Sequence, residues 1–147
     1  MVARFFTILF FGSILTLIPL VVFFAGVQKN YLVYYGIAVY FNPYFAYAFD
    51  GLKFLGISIA TGYLIFFGKM ASTFRVLYVM VVVLSIFSFI PIIGHSWGKA
   101  IFYRDSVEIT LPNGKKTQAA LIYEGRDAIY YRLGDNVRVN RMEKSSR

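Results

Sequence analysis

Few side chains in this sequence have the chemistry of a reactive centre. His95 is the only histidine, and it stands beside Ser96. A nucleophile pair needs the two groups to face each other, and adjacent positions on a helix do not. No acid lies nearby in sequence to orient the imidazole, so His95 reads as an interfacial histidine. With no cysteine there is no thiolate nucleophile and no disulfide framework. One histidine with scattered acids provides no metal-ligand spacing. Neither a glycine-rich phosphate loop nor a pair of catalytic carboxylates is present. The expectation is a protein that is not an enzyme and carries no cofactor or metal.

Two charged groups interrupt an otherwise apolar stretch, Asp50 and Lys53. At spacing i, i+3 on a helix they would neutralise each other inside a membrane. In a turn they would simply be solvated. Intramembrane ionisable residues are functional candidates, so the pair is the basis of an alternative reading: a channel or transporter subunit with Asp50 and Lys53 near the path. A third constellation is the basic set Lys116, Arg132 and Arg138 with Tyr130. It suits anionic headgroups or a protein surface better than nucleic acid.

What positions these residues is a chain of unusual composition. Of 147 residues, 59% are hydrophobic, 15% are charged, and Phe and Tyr together number 28. Soluble domains carry about 25% charged residues. So much apolar surface cannot be hidden in a monomer of this size. Disorder is excluded for most of the chain for the same reason. The net charge of +8 divides equally between residues 1–98 and 99–147.

Residues 5–27 contain no charge for 23 positions. As a helix this is roughly 34 Å, enough to cross a hydrocarbon core of about 30 Å. The run is too long for a signal-peptide core of about 7–15 residues, so an uncleaved helix is expected. Residues 74–94 read the same way, with Arg75 at one end and Trp97 beyond the other. The middle tract, 31–68, is either two helices (31–49 and 52–68) or one helix starting at Asn42-Pro43. The first reading makes four spans and the second three. Total apolar length leans to four. Four spans put both termini on one side with Arg4, Lys53, Lys99 and Arg104, against Lys29, Lys69 and Arg75 opposite. That excess places the C-terminal region in the cytoplasm. Within the helix 52–68, Gly56 with Ala60 and Ser58 with Gly62 are small pairs four apart, the spacing for close helix packing.

After residue 98 the pattern switches to period 2. Val107, Ile109 and Leu111 share a face, and turn signals follow at Asn113-Gly114, Gly125-Arg126-Asp127 and Gly134-Asp135-Asn136. Three-residue loops at each turn pair Ile109 with Ala119, Val107 with Leu121, Leu121 with Tyr131, Tyr123 with Ile129, Tyr131 with Val139 and Leu133 with Val137. Apolar residues then meet apolar ones, which is what sets register. The opposite face holds Glu108, Thr110, Lys116, Gln118, Tyr130, Arg132, Arg138 and Asn140, with Ala120 and Ile122 as exceptions. About 40 residues make a weak core alone. The sheet must therefore curl into an SH3-like barrel, dock on the helices, or meet another chain.

The fold expected is thus a membrane all-α bundle of three or four transmembrane helices (1–98), a small antiparallel β meander (99–142) and a disordered tail (143–147). In architecture alone this is similar to accessory membrane proteins such as the NfeD-like group, although the tail lacks their longer pattern. The small aromatic-rich chain is also similar in kind to immunity proteins against pore-forming toxins. The function expected is that of a multi-pass inner-membrane accessory, assembly or immunity-type protein, with lipids and a protein partner or a second copy as its partners.

Overall fold

The uncharged N-terminal tract forms the longest helix of the computed structural model, which describes residues 2–39, 51–110, 116–125, 127–134 and 138–144. Helix α1 runs Val2–Val27 and continues without a break into a π-helical turn, Gln28–Leu32. Helices α2 (Gly51–Phe66) and α3 (Ala71–Ile86) follow. A 3₁₀ turn, Phe87–Phe89, leads to α4 (Pro91–Phe102). Strands β1 (Arg104–Thr110), β2 (Lys116–Glu124), β3 (Ala128–Arg132) and β4 (Asn140–Glu143) form one antiparallel sheet in sequence order. Two helical stretches are long and apolar enough to cross a membrane, Val2–Leu32 and Ala71–Phe89, while Gly51–Phe66 is apolar but shorter.

Two expected helices are corrected. The helix expected over 31–49 stops at Leu32, and residues 33–39 form a turn and an irregular stretch. Gly36 takes φ +69°, a left-handed conformation that a helix does not accommodate. Gln28 Nε2 donates to the Val39 carbonyl at 3.1 Å, folding the segment back on the helix end. Residues 40–50 lie outside the described residues. The single helix expected over 74–94 is broken at Ile90, whose φ −73° and ψ 122° are extended. Pro91 disfavours helical geometry in the residue before it and suits the first turn of a new helix.

α1 and α2 pack antiparallel. A Cβ on Gly12 would strike the Ser58 carbonyl, and one on Gly62 would strike the Ile8 carbonyl. Glycine at both positions is what allows the backbones to touch. α3 runs back from α2 alongside α1: Arg75 reaches Ile65 of α2, Tyr78 reaches Leu15 of α1, and Ser88 in the following 3₁₀ turn reaches Val22 of α1. α4 continues in that direction to the last turn of the α1 helix and the sheet. The start of α1 and the sheet therefore lie at opposite ends of the helical layer.

The sheet follows the expected order with altered registers. Val107 pairs with Ala119 and Ile109 with Thr117, a shift of two residues from the expected β1–β2 register. A shift of two leaves every side chain on its expected face. Leu121 pairs with Tyr131 as the pattern required, but a bulge follows and Tyr123 pairs with Tyr130 rather than Ile129. In β3–β4, Tyr131 pairs with Asn140 rather than Val139. The loop residues 111–115 and 135–137 lie outside the described residues. The sheet does not close into a barrel. One face carries its own cluster, with Ile109, Ala119 and Tyr131 buried against Val107, Ile129, Leu133 and Met142. The other face presents Ile122, Tyr123, Tyr130 and Val139 to the helices. Tyr123 and Val139, expected on the first face, thus lie on the second. The bulge moves Tyr123 across, and the one-residue slip of β4 moves Val139.

Candidate functional site

The polar side chains that meet most closely gather where α1, α4 and the sheet join. The π-helical turn initiates this junction. Val33 N–H reaches the Gln28 carbonyl at 3.0 Å and Ile37 N–H reaches the Leu32 carbonyl at 2.9 Å, each five residues back. A π turn inserts an extra residue and rotates the side chains that follow it. Asn30 and Tyr31 are thereby aimed at α4 and the sheet.

Asn30 Nδ2 donates to the Ser88 carbonyl at 2.8 Å. Ser88 is fully buried, and its hydroxyl donates to the Ser85 carbonyl at 2.7 Å. The Asn30 carbonyl lies 3.3 Å from His95 Nδ1, a hydrogen bond that places the proton on Nδ1. Around His95 stand Tyr34, Tyr31 and Tyr35, with ring centroids at 4.8, 5.4 and 5.8 Å. Ser96 turns away and donates to the Ile92 carbonyl.

Tyr31 is wholly buried, and its phenol donates to the Ile122 carbonyl at 2.9 Å. Ile122 is the residue at the β2 bulge. Its side chain is fully buried against the helices. The aromatic stack continues from Tyr31 to Phe102 at 5.9 Å, to Tyr123 at 5.2 Å and to Tyr130 at 6.1 Å. Ile122, one of the two exceptions on the polar face, marks where that face meets the helices, while Ala120 is half-buried.

The junction carries charge at its edge. Lys99 Nζ sits 5.1 Å from the centre of the Tyr103 ring, and Tyr103 donates to Asp105 at 2.6 Å. That hydrogen bond is the main reason the Tyr103 pKa is raised, with burial adding. Burial raises Tyr35, Tyr34 adds to it, and the Arg132 guanidinium counters it. Arg132 Nε is shielded from solvent and has no hydrogen-bond partner among the described residues.

The four residues expected on one basic face do not stay together: the slip that sets Asn140 opposite Tyr131 takes β4 out of the phase that placed Arg138 with Tyr130 and Arg132. Tyr130 packs into the junction and Arg132 lies beside Tyr35 and Tyr103. Lys116 is exposed and pairs with Glu108 at 2.8 Å, and Arg138 is exposed. An exposed pair of this kind contributes about 0–1 kcal/mol. The small-residue stripe also divides. Ser58 and Gly62 face α1, whereas Gly56 and Ala60 are exposed and nothing lies near the Gly56 Cβ direction. The Ser58 hydroxyl is buried without a partner among the described residues. Its small size, not a hydrogen bond, suits it to the seam. Lys53 is exposed in the first turn of α2, and Asp50 lies outside the described residues. Sequence reasoning missed Asn30, Tyr31 and Ser88. The interruption of an apolar helix by Gln28-Lys29-Asn30 was their only local signal.

The hydrogen bonds of Asn30, Tyr31, His95 and Gln28 described above all involve backbone carbonyls, so they tie elements together. Comparison with protein-family profiles, curated proteins and solved structures finds no match to this chain.

Proposed function

We propose that this chain is a multi-pass membrane protein that acts by docking. Its helices cross the bilayer three times, and its sheet is held at one membrane surface as an accessory module. The observation that carries this reading is the buried Tyr31–Ile122 hydrogen bond, which ties the sheet to the end of the Val2–Leu32 stretch, one of the two helical stretches long enough to span; Asn30 in turn ties that end to Ser88 in the other. The outward side chains of α3, including Val76, Val79, Met80, Val83 and Ile86, stand about half exposed. Lipid is the solvent that accepts such a surface. Trp97, Lys99, Tyr34, Tyr35 and Tyr103 are the residue types favoured at a membrane interface, and they gather at the junction.

Three crossings separate the termini. Lys29, Lys99 and Arg104 then lie at the sheet end, with Lys53 in the first turn of α2 toward the same end, and Arg4, Lys69 and Arg75 lie at the other. A difference of one cation does not decide orientation, so charge alone does not place the sheet on either side. Arg132 and Lys116 belong to the sheet face that meets the helices, and so look toward the bilayer side. We therefore take anionic headgroups as the docking surface. The test is an environment-sensitive fluorophore at Gln118, on the same face, in the full chain reconstituted into vesicles. Quenching by headgroup-located quenchers should be stronger in anionic than in zwitterionic vesicles, and Lys116→Gln with Arg132→Gln should remove the difference. Equal quenching in both lipids overturns the docking role. Release of the chain from membranes by alkaline carbonate overturns the membrane reading itself.

A further inference from the structure

The second feature of the helical layer is a groove between α1, α2 and α3. It encloses about 480 Å³ and is lined by Leu20, Ile57, Leu64, Phe74, Leu77 and Val81 among others. That volume falls in the range of about 300–1,000 Å³ typical of small-molecule sites. Leu77 and Val81 line it while remaining about half exposed, so the groove opens sideways between α2 and α3. On the membrane reading above, that opening faces lipid.

One end of the groove is basic. Ile65 and Phe74 line it there, and Arg75, next to Phe74, donates from Nε to the Ile65 carbonyl at 3.3 Å. This caps one of the orphan carbonyls at the end of α2. Arg4 lies over the Phe67 ring at 5.9 Å, and Lys69 sits in the adjoining turn. No acid occurs in residues 1–49 or 51–104. Asp50 precedes the opposite end of α2 in sequence, and the other six acids follow residue 104. Three cations at one membrane surface thus have no acid of the neighbouring elements to balance them. An apolar slot ending at uncompensated positive charge matches one kind of occupant.

We propose that the groove binds an anionic phospholipid, with an acyl chain lying along Leu64, Leu77 and Val81 and the phosphate held by Arg75 with Lys69 and Arg4. This site is at the far end of the molecule from the sheet. The inference rests on the membrane reading but not on the docking role of the sheet.

The test is native mass spectrometry of the full chain, released from nanodiscs of mixed anionic and zwitterionic phospholipid. The wild type should retain one lipid per chain, with the anionic species preferred. Arg75→Gln should lower that preference about fivefold, the effect of one cation near a charged surface. Leu77→Trp, which fills the groove, should abolish retention, while Val79→Trp on the outward face should leave it unchanged. Retention by Leu77→Trp at the wild-type level, or equal retention of both lipids by the wild type, overturns the proposal. So does a dimer that excludes lipid, since the occupant is then a second copy. If Leu77→Trp does not fold, the Arg75→Gln comparison still decides. Carbonate release of the wild type would instead sink the membrane reading beneath it.

Discussion

Tyr78 repairs the damage that Pro19 does to α1. Proline has no N–H, so the Leu15 carbonyl four residues back loses its helical donor. The Tyr78 phenol supplies a replacement from α3 at 3.0 Å. In a hydrocarbon environment no water is at hand to do the same. Tyr78→Phe should therefore destabilise the helical layer by about 1 kcal/mol, within the span measured for interhelical hydrogen bonds in membranes. Pro19→Ala restores the N–H and should make the chain insensitive to Tyr78→Phe. A double-mutant cycle in detergent unfolding measures this coupling. Additive effects would show that the two residues do not share the Leu15 carbonyl.

The Tyr31–Ile122 bond joins two parts of the chain 91 residues apart. Tyr31→Phe keeps the ring packing on Phe102 and Tyr35 but leaves a buried carbonyl without its donor. The cost should be about 1–3 kcal/mol. It should show as selective loosening of the sheet: faster protease cleavage after Tyr103, with the helices still folded by circular dichroism. Uniform loss of all structure would mean that helices and sheet unfold as one unit.

Gly62 and Gly56 predict opposite outcomes on the same helix. Gly62→Leu forces α2 away from the Ile8 backbone and should cost at least the ~1–3 kcal/mol typical of overpacking. Gly56→Ala meets nothing and should be neutral or stabilising by up to ~1 kcal/mol, the helix-propensity difference. Thermal melts of the two variants in one detergent compare them directly.

The Tyr103–Asp105 pair predicts alkaline behaviour. Tyr103 has a pKa raised above its ordinary value of 10.0, so folding favours the neutral phenol. The stabilisation is fully present below pH 10 and is lost as pH rises through the folded value, because only the unfolded chain ionises freely in between. Tyrosinate absorbance should show a phenol titrating later than the exposed ones. Asp105→Asn, which removes the accepting carboxylate, should return it toward its ordinary range. An unchanged titration in Asp105→Asn would assign the shift to burial instead.

Much of this architecture is legible in composition and period. The uncharged runs determine that α1 and α3 form, because a long apolar run supports a helix without a specified partner; the break at Ile90 that ends the second run's helix early is set by Pro91. The alternation after residue 103 determines four antiparallel strands in sequence order, since a period of two allows one apolar face. Ala120 and Ile122 already broke that alternation, and for Ile122 burial against the helices is the reason. Tertiary structure alone decided the rest. The bulge at Ile122 and the slip of β4 arise because the second face of the sheet also packs, and a pattern with two buried faces no longer selects one register. The end of the first helix at Leu32 depends on Gly36, a local signal, and on the Gln28 contact to Val39, which periodicity does not announce. Asn30, Tyr31, Ser88 and His95 come together only because a π turn rotates the helix by an extra residue. That rotation is fixed by partners between 58 and 91 positions away, a distance over which periodicity carries no information.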